Sequence, residues 1–282
     1  MYKKIQIAKL SILSNTVLIS IKLLVGIISG SVSMISEAIH SCIDLIAALI
    51  SFFSVKVSDT PPDEEHPYGH GKYENVSGVI EALLIFAAAI CIIYEAIVRI
   101  KSNQHIVSIG LASVVMLVAA IVNFFVSSRL YKVAKETESI ALEADALHLK
   151  TDMYSSIGVA TGLFLIWITG YYFLDPVIAI LVALFILRES YYLLKSAYNP
   201  LLDTALSIKE INIIKNSIIN RSLSYHDLKT RKSGHFRFAD VHLEMNENIK
   251  LKEVHELCDE IEQEIKTKIQ NLEITIHVEP FH

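Results

Sequence analysis

Up to about residue 198 the sequence is a succession of apolar runs too long for a soluble core; from Asp203 onward charges recur every two or three residues. A bilayer's hydrocarbon core is about 30 Å thick, which a helix crosses in roughly 20 apolar residues. Six segments reach or approach that length, at about 7–29, 33–57, 75–99, 106–130, 140–170 and 174–196. They far exceed the strands of a membrane barrel, so helices are expected. The first begins too late, and is followed by too many others, to be a cleaved signal peptide. A hydrophobic content of 52% and a mean hydropathy of +0.46 fit a membrane protein and exclude disorder. Cys42, Cys91 and Cys258 are odd in number and far apart, so they make no disulfide framework. A net charge of −5 gives no bulk attraction to nucleic acid.

Six spans put both termini on one side. That side receives Lys3, Lys4, Lys9, Lys56, Lys72, Arg129, Lys132 and Lys135 near span ends, and the other only Arg99 and Lys101. The positive-inside bias therefore places the termini in the cytoplasm. The expected organisation is a six-helix membrane domain over 1–203 and a small cytosolic α/β domain over 204–282. In the latter, Ile208, Ile211, Ile214, Ile218 and Ile219 recur at helical spacing, and Phe236–Met245 alternates over its second half. Residues 250–269 return to a helical period and Glu273–Glu279 alternates strictly. The reading is helix, strand, strand, helix, strand, with a hairpin turn at Lys232-Ser233-Gly234. So small a domain needs a partner chain or a metal for stability.

Ionisable groups inside apolar spans are costly, about 2.5–3.5 kcal/mol each at a helix centre, and mark function or pairing. His40 and Asp44 lie in the second span, His148 and Asp152 in the fifth. Each pair is His-x-x-x-Asp, a spacing that stacks both side chains on one helix face. Two imidazoles and two carboxylates form a complete tetrahedral set for Zn²⁺. Glu81 is a further deep acid; a hydrogen bond to a neighbouring helix accounts for it as well as proton passage does. Asp63, His66 and His70 form a second cluster after the second span. In the tail, His277 and Glu279 share one sheet face opposite Ile274, Ile276 and Val278, and His242 alternates in the same way against Val241, Leu243 and Met245. His235, in the hairpin, reads as surface.

These motifs, with Asp63-Glu64-Glu65-His66-Pro67-Tyr68-Gly69-His70-Gly71-Lys72, His226-Asp227-Leu228-Lys229-Thr230-Arg231 and Val241–Met245, resemble the cation diffusion facilitator family of homodimeric metal exporters. The resemblance covers nearly the whole chain. It implies six membrane helices, a ferredoxin-like tail and a transport site at His40, Asp44, His148 and Asp152, with the two-His, two-Asp set of the zinc-selective branch. It further implies a zinc site at Asp63, His66 and His70, and regulatory zinc sites in the tail that add His226 and a bridging His255 to His242, His277 and Glu279. Glu279 stands where the family often has Asp. Lys72 and Asp203 are implied to interlock tail and membrane domain across the dimer.

Zn²⁺ on two carboxylates and two neutral imidazoles is net neutral, and its departure leaves two buried negative charges that protons must cover. Proton antiport from a bacterial inner membrane is therefore expected, with Cd²⁺, Fe²⁺ and Co²⁺ as further possible cargo. No GxxxxGK[ST] segment provides ATP drive. A zinc hydrolase is disfavoured because His255-Glu256-Leu257-Cys258-Asp259 is not HExxH. A metal-sensing or scaffolding membrane protein is the alternative, though a sensor has no need of four ligands in lipid.

Overall fold

The structure, a computed structural model, describes residues 2–29, 32–102, 111–169, 171 and 173–281. It divides into two compact units, Met1–Tyr198 and Asn199–His282.

The first unit holds α1 (Tyr2–Ser29), α2 (Val32–Ser58), α3 (Lys72–Ser102), α4 (Leu111–Thr137), α5 (Ile140–Thr169) and α6 (Leu174–Tyr198). Even α6, at 25 residues, is about 37 Å long and exceeds a hydrocarbon core. Each helix lies within a few residues of an expected span; the expected start of the fourth, at 106, falls outside the described residues. Among the described residues, α1, α3, α4 and α6 are long and apolar enough to cross a membrane. Helices α2 and α5 have the length, 27 and 30 residues, and carry the paired His and Asp.

In this unit α1 packs on α2 and α4, α4 on α5, and α3 on α6; α5 also meets α2, α3 and α6. Lipid tails are as apolar as leucine, so close backbone approach holds such helices together. Ala47, Ala48, Ala82, Ala89, Ala144 and Ala146 are accordingly fully buried. At Gly78 of α3 a Cβ would meet Ile140 Cγ2 at 2.6 Å and Ala197 Cβ at 3.0 Å, so only glycine permits that crossing. Leu24, Leu83, Tyr94, Leu117, Phe125 and Leu181 project outward, a surface that lipid solvates and water would not.

One end of the unit is fastened by a buried ionic network. Lys4 Nζ donates to Asp59 Oδ1 at 2.8 Å and to Glu74 Oε1 at 3.1 Å. Ser58 and Ser139 donate to the two oxygens of Glu74 at 2.8 and 2.5 Å. Four chain segments thus converge on one fully buried carboxylate. Buried charge is tolerated when every partner is present, and here the partners are.

The second unit begins with a 3-10 turn (Asn199–Leu202), then α7 (Ile208–Ile219), β1 (Ser224–Ser233), β2 (Phe236–Met245), α8 (Leu251–Lys268) and β3 (Leu272–Pro280). Ser207 and Glu210 close a capping box at the start of α7. The sheet order is β1-β2-β3, antiparallel then parallel, with α8 as the crossover a parallel pair requires. Ser233 pairs with Phe236, so the turn is Gly234-His235, one residue later than the sequence reading placed it. Gly234, at φ 59°, takes the first central position that a type II′ hairpin reserves for glycine. Val241, Leu243, Ile274, Ile214, Ile218, Ile261 and Ile265 form the core between sheet and helices.

Glu264 of α8 accepts from Ser217 Oγ at 2.9 Å, from Lys268 Nζ at 2.5 Å and from Arg221, tying α7 to α8. These hydrogen bonds, Lys268 first, then Arg221 and Ser217, hold its carboxyl down at about 2, against an ordinary 4.5. Its stabilisation is therefore complete above pH 4.5 and disappears as pH falls toward 2. Glu264→Gln is expected to speed hydrogen exchange of the α7 amides at pH 7. The difference from wild type should shrink between pH 5 and 3; a pH-independent difference refutes the assignment.

Candidate metal centres

Asp44 lies near the middle of α2, about 18 Å from its first residue. His148 and Asp152 are one turn apart on α5, and α2 packs against α5. Asp44 and His148 are buried, and Asp152 half-buried. Asp44 Oδ1 is 2.9 Å from His148 Nε2, and one ligand atom from each of Asp44, His148 and Asp152 falls within 4.8 Å of the others. His148 Nδ1 meets no hydrogen-bond partner among the described residues. The side chain of His40, the fourth expected ligand, lies outside the described residues.

Between α2 and α3, Asp63 gathers two imidazoles. The backbone N–H of His66 donates to Asp63 Oδ1 at 2.6 Å, and His66 Nδ1 stands 3.3 Å from the same oxygen. Asp63 Oδ2 is 3.2 Å from His70 Nε2, and the two rings are 4.5 Å apart. Gly69, at φ 79°, makes the bend that returns His70 to Asp63 just before α3 begins. The His66 N–H, with lesser help from the nearby imidazoles, holds the Asp63 carboxyl below its ordinary range despite partial desolvation. A deprotonated, exposed acid beside two imidazoles, one buried and one half-buried, is a fit three-ligand set for a divalent cation.

In the tail, strand register places His226 opposite His242 and His242 opposite His277, a row of three imidazoles across the sheet. Their ring centroids are 5.1 and 4.8 Å apart. Glu279 reaches all three: 2.8 Å to His242 Nδ1, 3.3 Å to His277 Nε2 and 3.3 Å to His226 Nε2. Ligand atoms of His226, His242 and Glu279 lie within 4.8 Å of one another, close enough for one ion to engage all three. His255 stands apart. It is on the exposed side of α8, 3.6 Å from Asp259, because Val254, Leu257, Ile261 and Ile265 turn the other side into the core. Lys72 is the first residue of α3; Asp203, in the other unit, has φ 53° and lies 3.7 Å from Arg231. His235 stacks on Phe236, 4.1 Å between centroids.

Several charged side chains near these centres went unremarked in the sequence. Glu244 pairs with Glu279 across β2 and β3 and comes within 3.4 Å of His226 Nδ1. Asp145, one turn before His148, accepts from Ser11 Oγ at 3.1 Å, and its Oδ2 meets no hydrogen-bond partner among the described residues. Glu81, the deep acid already singled out in the sequence, is fully buried and accepts from Ser77 of its own helix at 3.3 Å, with its other oxygen likewise unmatched. Lys22, deep in α1, donates to Ser41 of α2 at 2.7 Å. Its isolation inside an apolar run was the available signal.

Residues 8–202 match the cation efflux transmembrane domain, and residues 205–281 the cytoplasmic domain of cation efflux proteins. The chain is 33% identical to the uncharacterized transporter sll1263 of Synechocystis, over 97% of this chain and 89% of that one. It is 32% identical to the cation-efflux pump FieF of Yersinia enterocolitica, over 98% of this chain and 93% of the relative. A FieF of Shewanella oneidensis is 29% identical over 97% and 93%. These relatives are transporters, not enzymes, and this chain likewise joins a helical bundle holding buried acids and imidazoles to a unit with a small mixed sheet. The chain belongs to the cation efflux family.

Proposed function

We propose that the protein exports Zn²⁺ from the cytoplasm in exchange for protons. The observation that carries this reading is the convergence of Asp44, His148 and Asp152 from two helices inside an apolar bundle. With His40 the set is two imidazoles and two carboxylates, suited to tetrahedral Zn²⁺ and less so to Mn²⁺ or Mg²⁺, which favour oxygen. Cd²⁺, Fe²⁺ and Co²⁺ are secondary cargo. The Lys and Arg distribution orients both termini to the cytoplasm of a bacterial inner membrane.

Charge balance supports the coupling. The loaded site is neutral; the unloaded one carries two negative charges in a low-dielectric bundle and takes up protons. Moving a bare divalent ion outward against a 100 mV inside-negative potential costs about 4.6 kcal/mol, twice the single-charge figure. Exchange for two protons removes that cost. The cycle is a rocking of the bundle that opens the fixed site to each side in turn. Asp63, His66 and His70 serve as an exchangeable zinc station at the cytoplasmic interface.

The tail domain acts as a zinc-regulated dimerisation module in a homodimer. His226, His242, His277 and Glu279 hold the ion, with His255 as the bridging ligand expected from the family pattern, and Lys72 with Asp203 interlocks tail and membrane domain across the dimer. Zinc there biases transport to the extent that the two transport states differ in tail affinity.

In inverted vesicles, zinc uptake is expected to follow an imposed pH gradient and to fall at least about 100-fold in Asp44→Asn and Asp152→Ala; indifference to the gradient removes the antiport. Changing both His242 and His277 to Ala is expected to weaken dimerisation and abolish activation by added zinc while leaving the pH-driven transport at saturating zinc. If dimer stability and activation both persist, the tail is not the regulator.

A further inference from the structure

Two acids of the bundle have no part in the transport scheme above. Glu81 of α3 is 0% exposed and accepts one hydrogen bond, at 3.3 Å from Ser77 of its own helix; its Oε2 meets no hydrogen-bond partner among the described residues. A bond to a neighbouring helix, the structural role expected of a deep acid, is therefore not what holds it. Asp145 of α5 is 1% exposed, accepts from Ser11 of α1 at 3.1 Å and leaves its Oδ2 likewise unmatched. Asp145 acts on Glu81 as a neighbouring negative charge, and it acts in turn on His148, one turn along α5. The helices packed on α3 are α2, α5 and α6; from α5 Glu81 faces Asp145, and among the described residues α2 and α6 bring no charged group to bear on it. Electrostatic contact thus runs from α3 through Asp145 to His148 and Asp44.

We propose that Glu81 is a proton-binding site separate from the metal ligands, which holds a proton while the metal site is empty and gives it up when a divalent cation loads. The proposal rests on the antiport reading for its role. Two neighbouring carboxylates in an apolar bundle, each with an oxygen that no donor reaches, do not both stay ionised unless positive charge is added nearby. Asp145, with a serine hydroxyl and an imidazole beside it, keeps the charge; Glu81, with one long hydrogen bond and an anion for a neighbour, keeps the proton. His148 gives up one proton from Nε2 to ligate an ion, which leaves the metal site one positive charge richer than before. Electroneutral exchange needs a second proton. The O–H bond of Glu81 breaks, the proton leaves by way of Asp145 to the water on the open side, and the charge left on Glu81 balances the second charge of the ion. At an effective dielectric constant of about 20, a unit charge gained one helical turn from Asp145 weakens proton binding by the pair about tenfold or more.

The test titrates Zn²⁺ into the full-length protein in nanodiscs, for wild type, Glu81→Gln, Glu81→Asp and Asp44→Asn, and reads the protons released with a pH indicator in weak buffer. The component lost in Asp44→Asn identifies the transport site. In that component Glu81→Gln should release about one proton fewer than wild type, so that its zinc affinity climbs about tenfold less per pH unit, whereas Glu81→Asp should release as many as wild type. In the infrared, zinc should remove a protonated-carboxyl band from wild type, and that loss should be absent in Glu81→Gln. Equal proton release in Glu81→Gln and wild type overturns the proposal. So does a wild-type spectrum that loses no such band, a result that needs no variant to fold. If Asp44→Asn loses no component, the metal site itself is misassigned. If the protons are released as expected while zinc uptake ignores a pH gradient, the antiport reading fails and the proton site stands.

Discussion

The contact between Asp44 and His148 joins α2 to α5 at the depth where water is scarce and ionised groups are most expensive, and the packing around it follows from that cost. Two helices must come close enough for a short aspartate to meet an imidazole. Alanines on both supply the room: Ala47 and Ala48 on α2, Ala144 and Ala146 on α5, all fully buried. The Lys4–Asp59–Glu74 network then fixes one end of the same helices, with Ser58 closing α2 and Ser139 leading into α5. Glu81 and Asp145 are buried in the bundle alongside Asp44, and Asp152 is half-buried, so these four acids share this apolar unit.

The tail solves a different problem with the same residue types. A three-stranded sheet covered on one face by two helices leaves its other face without a core to join. Alternation places Val241, Leu243, Ile274 and Ile276 toward the helices and His242, Glu244, His277 and Glu279 away from them. Three imidazoles in a row, with a carboxylate reaching each, crowd donors that share few protons. The nitrogen lone pairs of such a row suit a cation, which is what supports the proposed tail site.

Helix positions and the His-x-x-x-Asp pairs were legible because they are local: length, hydropathy and a four-residue spacing are read within one segment. The tail's order of elements was legible for the same reason. What one segment cannot state is what another brings to it. Strand register, which sets Glu244 beside Glu279 and lines up His226, His242 and His277, is a property of three strands together. The partner of Lys22 is on a different helix. His255 lies on the exposed face of α8 because Val254, Leu257, Ile261 and Ile265 turn the other face into the core, a choice the neighbouring elements make. The hairpin turn slipped by one residue because Gly234 fits two turn positions until the pairing of Ser233 with Phe236 chooses one.

The proposed exchange of metal for protons draws on the contact between Asp44 and His148. A carboxylate oxygen 2.9 Å from His148 Nε2 accepts a hydrogen bond when this nitrogen carries a proton. For Nε2 to ligate a cation, that same proton must leave, since an N–H has no lone pair to offer. Asp44 loses its hydrogen bond in the same event and gains the metal instead. In the proposed cycle, loading releases protons to the side from which the metal enters, and unloading takes them up from the other. A site whose ligands were held apart by separate partners could bind metal without this trade. Here Asp44 and His148 face each other at 2.9 Å, and the proposed coupling rests on that shared space.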